Sequence, residues 1–405
     1  MKRILHRYVE DQVQKDLHMG KSVLLLGSRQ TGKTTFIREV LKSTSPIHSI
    51  LLQDPSVRLR YEQDPGLLIR DAQAIDRGII LFVDEIQKVP DLFDSVQYLI
   101  DEEKRQCILT GSSMRKLRRQ QTNLLPGRVL ASTMTPLLFG ELGLLKESRL
   151  ACLQMKNCTE ALPYTWEELA VFGALPEVIL SDTQTRKRLL TSYATTYVEE
   201  EIRAEALARN LGSFQTFLQV IAQESGSAIN ISKLSEQTHV SMITIREYIS
   251  ILQDTLILLE LPLYSKKIRR QLAGKSKQYL FDTGIRNALQ GAPLDLRIIN
   301  VQKGILFEHM VILELFRRQS LLNDRSVKLS YWRTRTGLEV DVIISLYDEV
   351  IPIEIKAARD ISLRDIPGLL AFMEEHSVKK GYVVTLDERP QKLSETITAI
   401  PWNYL

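Results

Sequence analysis

The sequence predicts an α/β protein built in three parts, and three patterns carry that prediction. Apolar runs alternate with helical stretches over residues 1–145. Helix dominates residues 146–300, where a helix-turn-helix outline is followed by an apolar strand. From 301 to 405, strand-like runs and helices alternate again.

In the first part the strand-like runs are SVLLLG (22–27), SILLQ (49–53), GIILFVDE (78–85), QCILTGS (106–112) and RVLAS (128–132). Apolar runs without polar alternation suit strands covered on both faces, as in a parallel sheet. Their repetition with helices gives a doubly wound α/β domain. In the second part, residues 177–202 and 214–224 read as helices, and residues 229–285 read as a winged helix. A short helix starts at Ser232, Thr238-His239-Val240 turns the chain, and Ser241 is the expected N-cap of the next helix. That helix gathers Ile245, Tyr248, Ile249 and Leu252 on one face and leaves Thr244, Arg246 and Glu247 on the exposed side. A strand over 256–261 follows. The third part begins after the Gly291-Ala292-Pro293 turn signal. It holds a helix over 306–318, strand-like runs at 328–334, 339–345, 350–357 and 381–386, and a helix over 362–375.

Composition bounds the function classes. Hydrophobic residues make up 44% and charged residues 25% of the chain, as in globular proteins. No apolar run reaches the roughly 18–20 residues of a membrane span. The N-terminal stretch MKRILHRYVEDQVQKD is charged and lacks an apolar signal core, so a cytoplasmic protein with no membrane partner is expected. Cys107, Cys152 and Cys158 show no metal-type pairing, and Cys107, inside CILTG, reads as a buried strand residue. The six histidines show no ligand spacing. The net charge is +4, and two stretches carry several basic residues with no acid among them. One holds Arg115, Lys116, Arg118, Arg119 and Arg128; the other holds Lys266, Lys267, Arg269, Arg270, Lys275 and Lys277. Each is either a solvated face or a contact for nucleic acid.

The strongest motif is GSRQTGKTT (27–35), which follows a strand and opens a helix. Gly27, Gly32, Lys33 and Thr34 satisfy every defined position of GxxxxGK[ST]. The glycines let successive N–H groups of Gly27, Ser28, Arg29, Gln30, Thr31, Gly32, Lys33, Thr34 and Thr35 curl around phosphates, helped by the helix dipole. Lys33 reaches the β- and γ-phosphates of ATP, and Thr34 ligates Mg²⁺. A second apolar strand ends in Asp84-Glu85, which assigns Asp84 to the metal shell and Glu85 to the attacking water. A third ends in small hydroxyls, and Thr110, Ser112 or Ser113 there is placed to sense the γ-phosphate. Gly-Ser-Ser is equally a common turn.

The order of phosphate loop, VDEIQ, LTGSS and LPGR resembles the AAA+ class of ATPases. Within it the chain is similar to prokaryotic ATPases whose C-terminal half is a domain of unknown function with a restriction-endonuclease-like fold. GALPE (173–177) and YLFDTGIRNAL (279–289) belong to that likeness, which spans nearly the whole chain. It implies homo-oligomers with shared nucleotide sites. Arg128, in LPGRVLAS, then stands either as an arginine finger reaching a neighbouring subunit's ATP or as a basic loop residue, with Arg29 as an alternative finger.

Near the C-terminus, Glu339-Val340-Asp341 lies in one strand and Ile353-Glu354-Ile355-Lys356 in a later one. Strand alternation puts Glu354 and Lys356 on one face. Asp341 and Glu354 are the residue types that bind Mg²⁺, and Lys356 the type that orients water or steadies developing charge. The segment resembles the D…ExK pattern of PD-(D/E)xK nucleases, and Glu308 matches an additional acid of that group. Three readings stay open: a working nuclease, a nuclease-like fold that binds without cutting, and a surface Glu354–Lys356 pair. Trp332, Arg333 and Arg335 lie beside the acids, where they contact a phosphate backbone or, for Trp332, fill the core. The whole reads as an ATPase that hydrolyses ATP with Mg²⁺ and acts on or with DNA. The alternative is a nucleotide-dependent, protein-binding switch with an inactive nuclease-like domain.

Overall fold

The computed structural model describes residues 5–43, 45–112, 127–197, 211–265, 274–322, 324, 326–347 and 349–405. They fall into two compact units, one running to Thr135 with Asp254–Ile257 added, the other comprising Pro136–Gln253 and Leu258–Leu405.

The first unit is built on five parallel strands: β1 (Ser22–Leu26), β2 (Ile47–Leu51), β3 (Ile80–Asp84), β4 (Cys107–Gly111) and β5 (Val129–Thr133). All five expected runs are strands, with ends within two residues of expectation. The spatial order is β2-β3-β4-β1-β5. Every residue of the three inner strands is buried, whereas the edge strands β2 and β5 are partly exposed. That is why the inner runs carry no polar alternation. Helices α1 (Val9–His18), α2 (Lys33–Thr35), α3 (Pro55–Gln63), α4 (Leu67–Gln73) and α5 (Leu92–Asp101) connect or precede the strands. The amphipathic α5 buries Leu92, Phe93, Val96 and Leu99, which join Leu81, Val83 and Leu109 in the core. Cys107 is fully buried in β4, and burial pushes its thiol up to about 12. Parallel pairing sends the carboxyl ends of β1, β3 and β4 to one edge of the sheet. Because β4 lies between β1 and β3, Thr110 and Ser112 emerge between the loop after β1 and the acids after β3.

The second unit opens with helices α6 (Trp166–Phe172), α7 (Pro176–Ile179), α8 (Thr183–Ser192) and α9 (Leu211–Gln223). A capping box starts α6: Glu168 N–H donates to Thr165 Oγ1 at 3.3 Å, and Thr165 N–H to Glu168 Oε2 at 3.2 Å. One continuous helix from 177 to 202 is not what forms. The chain breaks after Ile179, because Asp182 caps a fresh helix by accepting from Gln184 and Thr185 N–H at 3.0 and 3.1 Å.

Next come β6 (Ser227–Ala228), α10 (Ile231–Thr238), α11 (Met242–Asp254), β7 (Leu258–Leu261) and β8 (Lys277–Leu280), whose strands form an antiparallel sheet in the order β6-β8-β7. His239 takes a left-handed φ of 53° at the expected turn, and Ser241 Oγ accepts from Thr244 N–H at 3.2 Å as the expected cap. Ile245, Tyr248 and Leu252 are buried, and Arg246 and Glu247 are exposed.

Helices α12 (Thr283–Leu289) and α13 (Arg297–Leu322) follow. The latter runs through the expected boundary at 300/301, kinked at the non-helical Gln302, so the expected second and third parts share one compact unit. The last sheet holds β9 (Lys328–Arg333), β10 (Glu339–Leu346), β11 (Glu349–Ile355), β12 (Gly381–Thr385), β13 (Gln391–Lys392) and β14 (Ile397–Pro401), in the order β13-β14-β12-β11-β10-β9. Helix α14 (Pro367–His376) packs Leu369 and Phe372 on it. Trp332 belongs to this core and meets Phe372 edge to face at 5.4 Å, so it is no backbone contact for a ligand.

GALPE and FDTG lock together inside this unit. Asp282, fully buried, accepts from Ala174 N–H at 2.7 Å and caps α12 through Gly284 and Ile285 N–H at 3.0 and 3.2 Å. Gly173, at a φ of 74°, leaves room for Asp282: a Cβ there would lie 1.9 Å from Asp282 Oδ1. Among the described residues, no helix is long and apolar enough to cross a membrane.

Candidate active site

The loop after β1 turns back under its own glycines. Gly32 has a φ of 93°, and a Cβ on Gly27 would lie 2.2 Å from the Met134 carbonyl oxygen. Lys33 is buried, and its ammonium donates to the Gly27 and Ser28 carbonyls at 2.7 and 3.1 Å, so the charge sits inside the loop's curve. Thr31 is buried with its hydroxyl on the Ser28 carbonyl at 2.8 Å. Arg7, which sequence reasoning missed, braces the loop from outside by donating to the Thr31 and Thr135 carbonyls at 2.9 and 2.6 Å. Ser28 is buried, Arg29 half-buried, and Gln30 and Thr35 exposed.

The two acids after β3 have different partners. Thr34 Oγ1 donates toward Asp84, 3.1 and 3.0 Å from its two oxygens, and Thr110 Oγ1 donates to Asp84 Oδ1 at 2.6 Å. Burial pushes the Asp84 carboxyl above its usual range, and these hydroxyls and Lys33 only partly offset it. Glu85 takes a left-handed φ of 58°, its N–H held by Thr110 Oγ1 at 2.8 Å. Its Oε2 accepts from Ser112 Oγ at 2.9 Å and from Gln87 Nε2, while its Oε1 lies 3.9 Å from the Lys33 ammonium. Gln87 also reaches Ser112 Oγ at 3.0 Å. Thus Thr110 is a brace for both acids and Ser112 a partner of Glu85, whereas Ser113 lies outside the described residues. Gln87 was visible only as the last letter of VDEIQ, with no signal that it orients Glu85.

The residues fit Mg²⁺ and ATP. The loop curves around the Lys33 ammonium, a cation suited to phosphate oxygens. Asp84 is a desolvated carboxyl beside the Thr34 hydroxyl, the donor set that suits a hard divalent ion.

Arg128 stands at the opposite, amino-terminal end of its strand, just before β5. Its Nε pairs with Asp101 Oδ1 at 2.5 Å and holds that carboxyl below its usual range. Placed at that edge of the sheet, it serves no nucleotide on its own subunit's loop. Residues 115–119 and 266–270 of the two basic runs lie outside the described residues.

The C-terminal acids do converge. β10 pairs antiparallel with β11, with Val342 opposite Ile353, which sets Asp341 beside Glu354 on the next pair. Ile355 N–H donates to Asp341 Oδ2 at 2.8 Å, and Lys356 pairs with Glu354 Oε1 at 2.8 Å. Burial, then the Glu354 and Glu308 charges, pushes Asp341 well above the usual carboxylate range. Burial also raises Glu354, against the pull of Lys356.

Two residues unexpected here come from β8. Tyr279 donates its hydroxyl to Glu308 Oε1 at 2.8 Å. Lys277 places its ammonium 2.5 Å from Glu339 Oε1 and 3.3 Å from Glu308 Oε1. Burial works against the Lys277 charge, but Glu308, Asp341 and Glu339 hold it above its ordinary value. Lys277 is therefore not a member of a solvated or nucleic-acid-facing run: it is 5% exposed and spent on this pocket. Its spacing of two from Tyr279 along a strand was the available signal. Among the described residues, no group of three or more His, Cys, Asp or Glu is arranged to hold a metal ion. Asp341, Glu354 and Glu308 as they stand thus do not fit a divalent ion.

Three family models match the chain. An AAA domain covers residues 20–143, and two domains of unknown function cover 164–296 (DUF8612) and 303–405 (DUF4143). The chain is 25% identical over 405 residues to an uncharacterized protein of Mycobacterium tuberculosis, with 96% of this chain and 82% of that protein aligned. It is 22% identical over 367 residues to an uncharacterized protein of Haemophilus influenzae, covering 86% and 85% of the two. Among solved structures, the Walker-type ATPase of Pyrococcus abyssi is similar at 14% identity and a TM-score of 0.49, over 71% of this chain and 96% of that one. With the loop, the acids and the parallel sheet in place, residues 20–143 match an AAA domain and have the fold of a P-loop ATPase.

Proposed function

We propose that the chain hydrolyses ATP with Mg²⁺ at the β1–β3 edge and uses the cycle to act on or with DNA. The observation that carries the first half is the division of labour between adjacent acids: Asp84 faces Thr34, and Glu85 faces Ser112 and Gln87. Mg²⁺, held by Thr34 and Asp84, would neutralise phosphate charge. The loop N–H groups and Lys33 bind the phosphates and stabilise charge on the transferred group. Glu85, oriented by Ser112 and Gln87, accepts a proton as water oxygen bonds to the γ-phosphorus. The bond from that phosphorus to the bridging oxygen breaks, releasing ADP and phosphate. Arg128 completes the site of a neighbouring copy, which makes the active form a homo-oligomer.

The DNA half rests on the middle region. The order α9-β6-α10-α11-β7-β8, with its small antiparallel sheet, supports a winged-helix reading, with Arg246 and Glu247 exposed on the second helix of its helix-turn-helix. The basic run at 266–270 comes between β7 and β8 in the sequence, and its charge supports a phosphate partner. ATP hydrolysis by purified protein with Mg²⁺, measured with and without single- and double-stranded DNA, tests both halves. Stimulation by DNA supports the reading, and an unstimulated ATPase restricts it to its first half.

The seating of Lys277 in the acid pocket favours a second reading for the C-terminal domain: a nuclease-like fold that docks DNA or protein without cutting. Running the same DNA on a gel after incubation with Mg²⁺ or Mn²⁺ separates this from a working nuclease. Intact DNA supports docking.

A further inference from the structure

We propose that Lys277 is the built-in cation of the C-terminal acid pocket. It holds Glu308 and Glu339 beside Asp341 as a divalent ion would, so the pocket becomes a divalent-cation site when this ammonium is removed. The inference concerns the C-terminal domain alone and stands or falls independently of ATP hydrolysis.

The pocket gathers four carboxylates, Glu308 from α13, Glu339 and Asp341 from β10, and Glu354 from β11. Four acids brought this close repel one another unless cations are interleaved. Two ammonium groups serve them. Lys356 is committed to Glu354 at 2.8 Å. Lys277 faces the other three, 2.5 Å from Glu339 Oε1 and 3.3 Å from Glu308 Oε1, with Asp341 a further attractive charge. Arg333 adds a contact at 3.5 Å from Glu339 Oε2, but its side chain is half exposed and stands at the rim.

The ammonium is fixed. Lys277 is 5% exposed, lies over the Tyr331 ring at 5.4 Å, and is carried on a strand paired with β7. Tyr279, two residues on, bonds the same Glu308 oxygen at 2.8 Å, so β8 presents a lysine and a phenol together to the pocket.

An independent observation marks the pocket as a place for a cation. Glu354 is 6% exposed, yet its Oε2 is buried without a hydrogen-bond partner among the described residues. A desolvated, unpaired carboxylate oxygen is costly. Here it stands among acids that feel one another's charge, a ligand-grade oxygen left over after both lysines have been used. Lys277→Gln would keep much of the volume and remove the ammonium that Glu308, Glu339 and Asp341 share, leaving Lys356 on Glu354 and Arg333 at the rim.

The test is a titration of the nucleotide-free full chain with Mn²⁺, counting free ion by electron paramagnetic resonance. Wild type, Lys277→Gln and Lys277→Gln/Asp341→Asn are compared. The expected result is that Lys277→Gln gains one Mn²⁺ per chain, bound roughly tenfold or more tighter than by wild type, the scale on which neighbouring groups tune metal sites. Adding Asp341→Asn removes that gain. A folded Lys277→Gln that gains no Mn²⁺ overturns the proposal. So does a wild-type chain that already holds Mn²⁺ as tightly through Asp341. Should Lys277→Gln fail to fold in metal-free buffer, it is refolded with Mn²⁺. Rescue supports the proposal, because an ion bound to the native state stabilises it, and failure of rescue overturns it.

Discussion

The Thr34 hydroxyl stands 3.1 and 3.0 Å from the two carboxylate oxygens of Asp84, across fifty residues of sequence. The sheet order produces this meeting. β4 separates β1 from β3, and Thr110 fills the interval by bonding Asp84 through its hydroxyl proton and the Glu85 N–H through its oxygen. Glu85 bonds instead to Ser112 and Gln87, so the two adjacent carboxylates have separate partners, as the proposed roles of metal ligand and water-orienting base require.

Ser112→Ala and Gln87→Ala are each expected to lower the turnover rate while leaving ATP affinity unchanged, because both hold Glu85 and neither is expected to hold nucleotide. The loss should be smaller than the roughly 10²–10⁴-fold expected for the base itself. Lys33→Ala should abolish turnover. Steady-state assays with nucleotide-binding titrations check this, and an affinity loss with Ser112→Ala would make Ser112 a phosphate contact.

Much of this was legible in the sequence because the first unit obeys local rules. Its inner strands are uniformly apolar, and the phosphate loop fixes its own geometry through glycines. What was not legible depends on long-range pairing. Arg7 reaches the loop from before α1, and Lys277 looked like part of a basic run until β8 turned it into the acid pocket. The break at Asp182 was overlooked although the Ser181-Asp182 pair offered a cap, which Asp182 provides by accepting from Gln184 and Thr185 N–H.

Arg128 supplies a mixing experiment. Arg128→Ala should bind ATP and lose activity, and Lys33→Ala should be inactive. Combining the two under conditions of subunit exchange should restore part of the activity, since a mixed interface pairs an intact loop with an intact finger. No recovery would leave Arg128 as the partner of Asp101 and nothing more.

Replacing Lys266, Lys267, Arg269 and Arg270 with Ala should weaken DNA binding and flatten its dependence on salt, because fewer counterions are released. Binding isotherms at several salt concentrations measure both. Lys277→Gln should leave that salt slope unchanged, since Lys277 is buried.

His309 sets an acid limit on the second unit. Its Nε2 lies 2.7 Å from the Leu280 carbonyl oxygen, and burial, with Arg286 and Arg317 nearby, pulls it from 6.5 to about 3. The unfolded chain takes up the proton at the ordinary value and the folded chain does not. Stability should therefore be unaffected above pH 6.5 and fall as pH drops from 6.5 toward 3, by at most about 1.4 kcal/mol per pH unit from this group. His309→Gln, which keeps an N–H for Leu280, should remove that part of the slope. Denaturant unfolding across this window measures it, and identical slopes for the two proteins would contradict the assignment.

The most direct test of the account is single-turnover hydrolysis of ATP with Mg²⁺ by wild type and Glu85→Gln, with ATP binding measured on the same samples. The expected result is turnover by wild type, unchanged ATP affinity in the variant, and a rate lower by roughly 10²–10⁴-fold. A Glu85→Gln protein that hydrolyses ATP at the wild-type rate, or a wild type that binds ATP with Mg²⁺ and never hydrolyses it, would contradict the account.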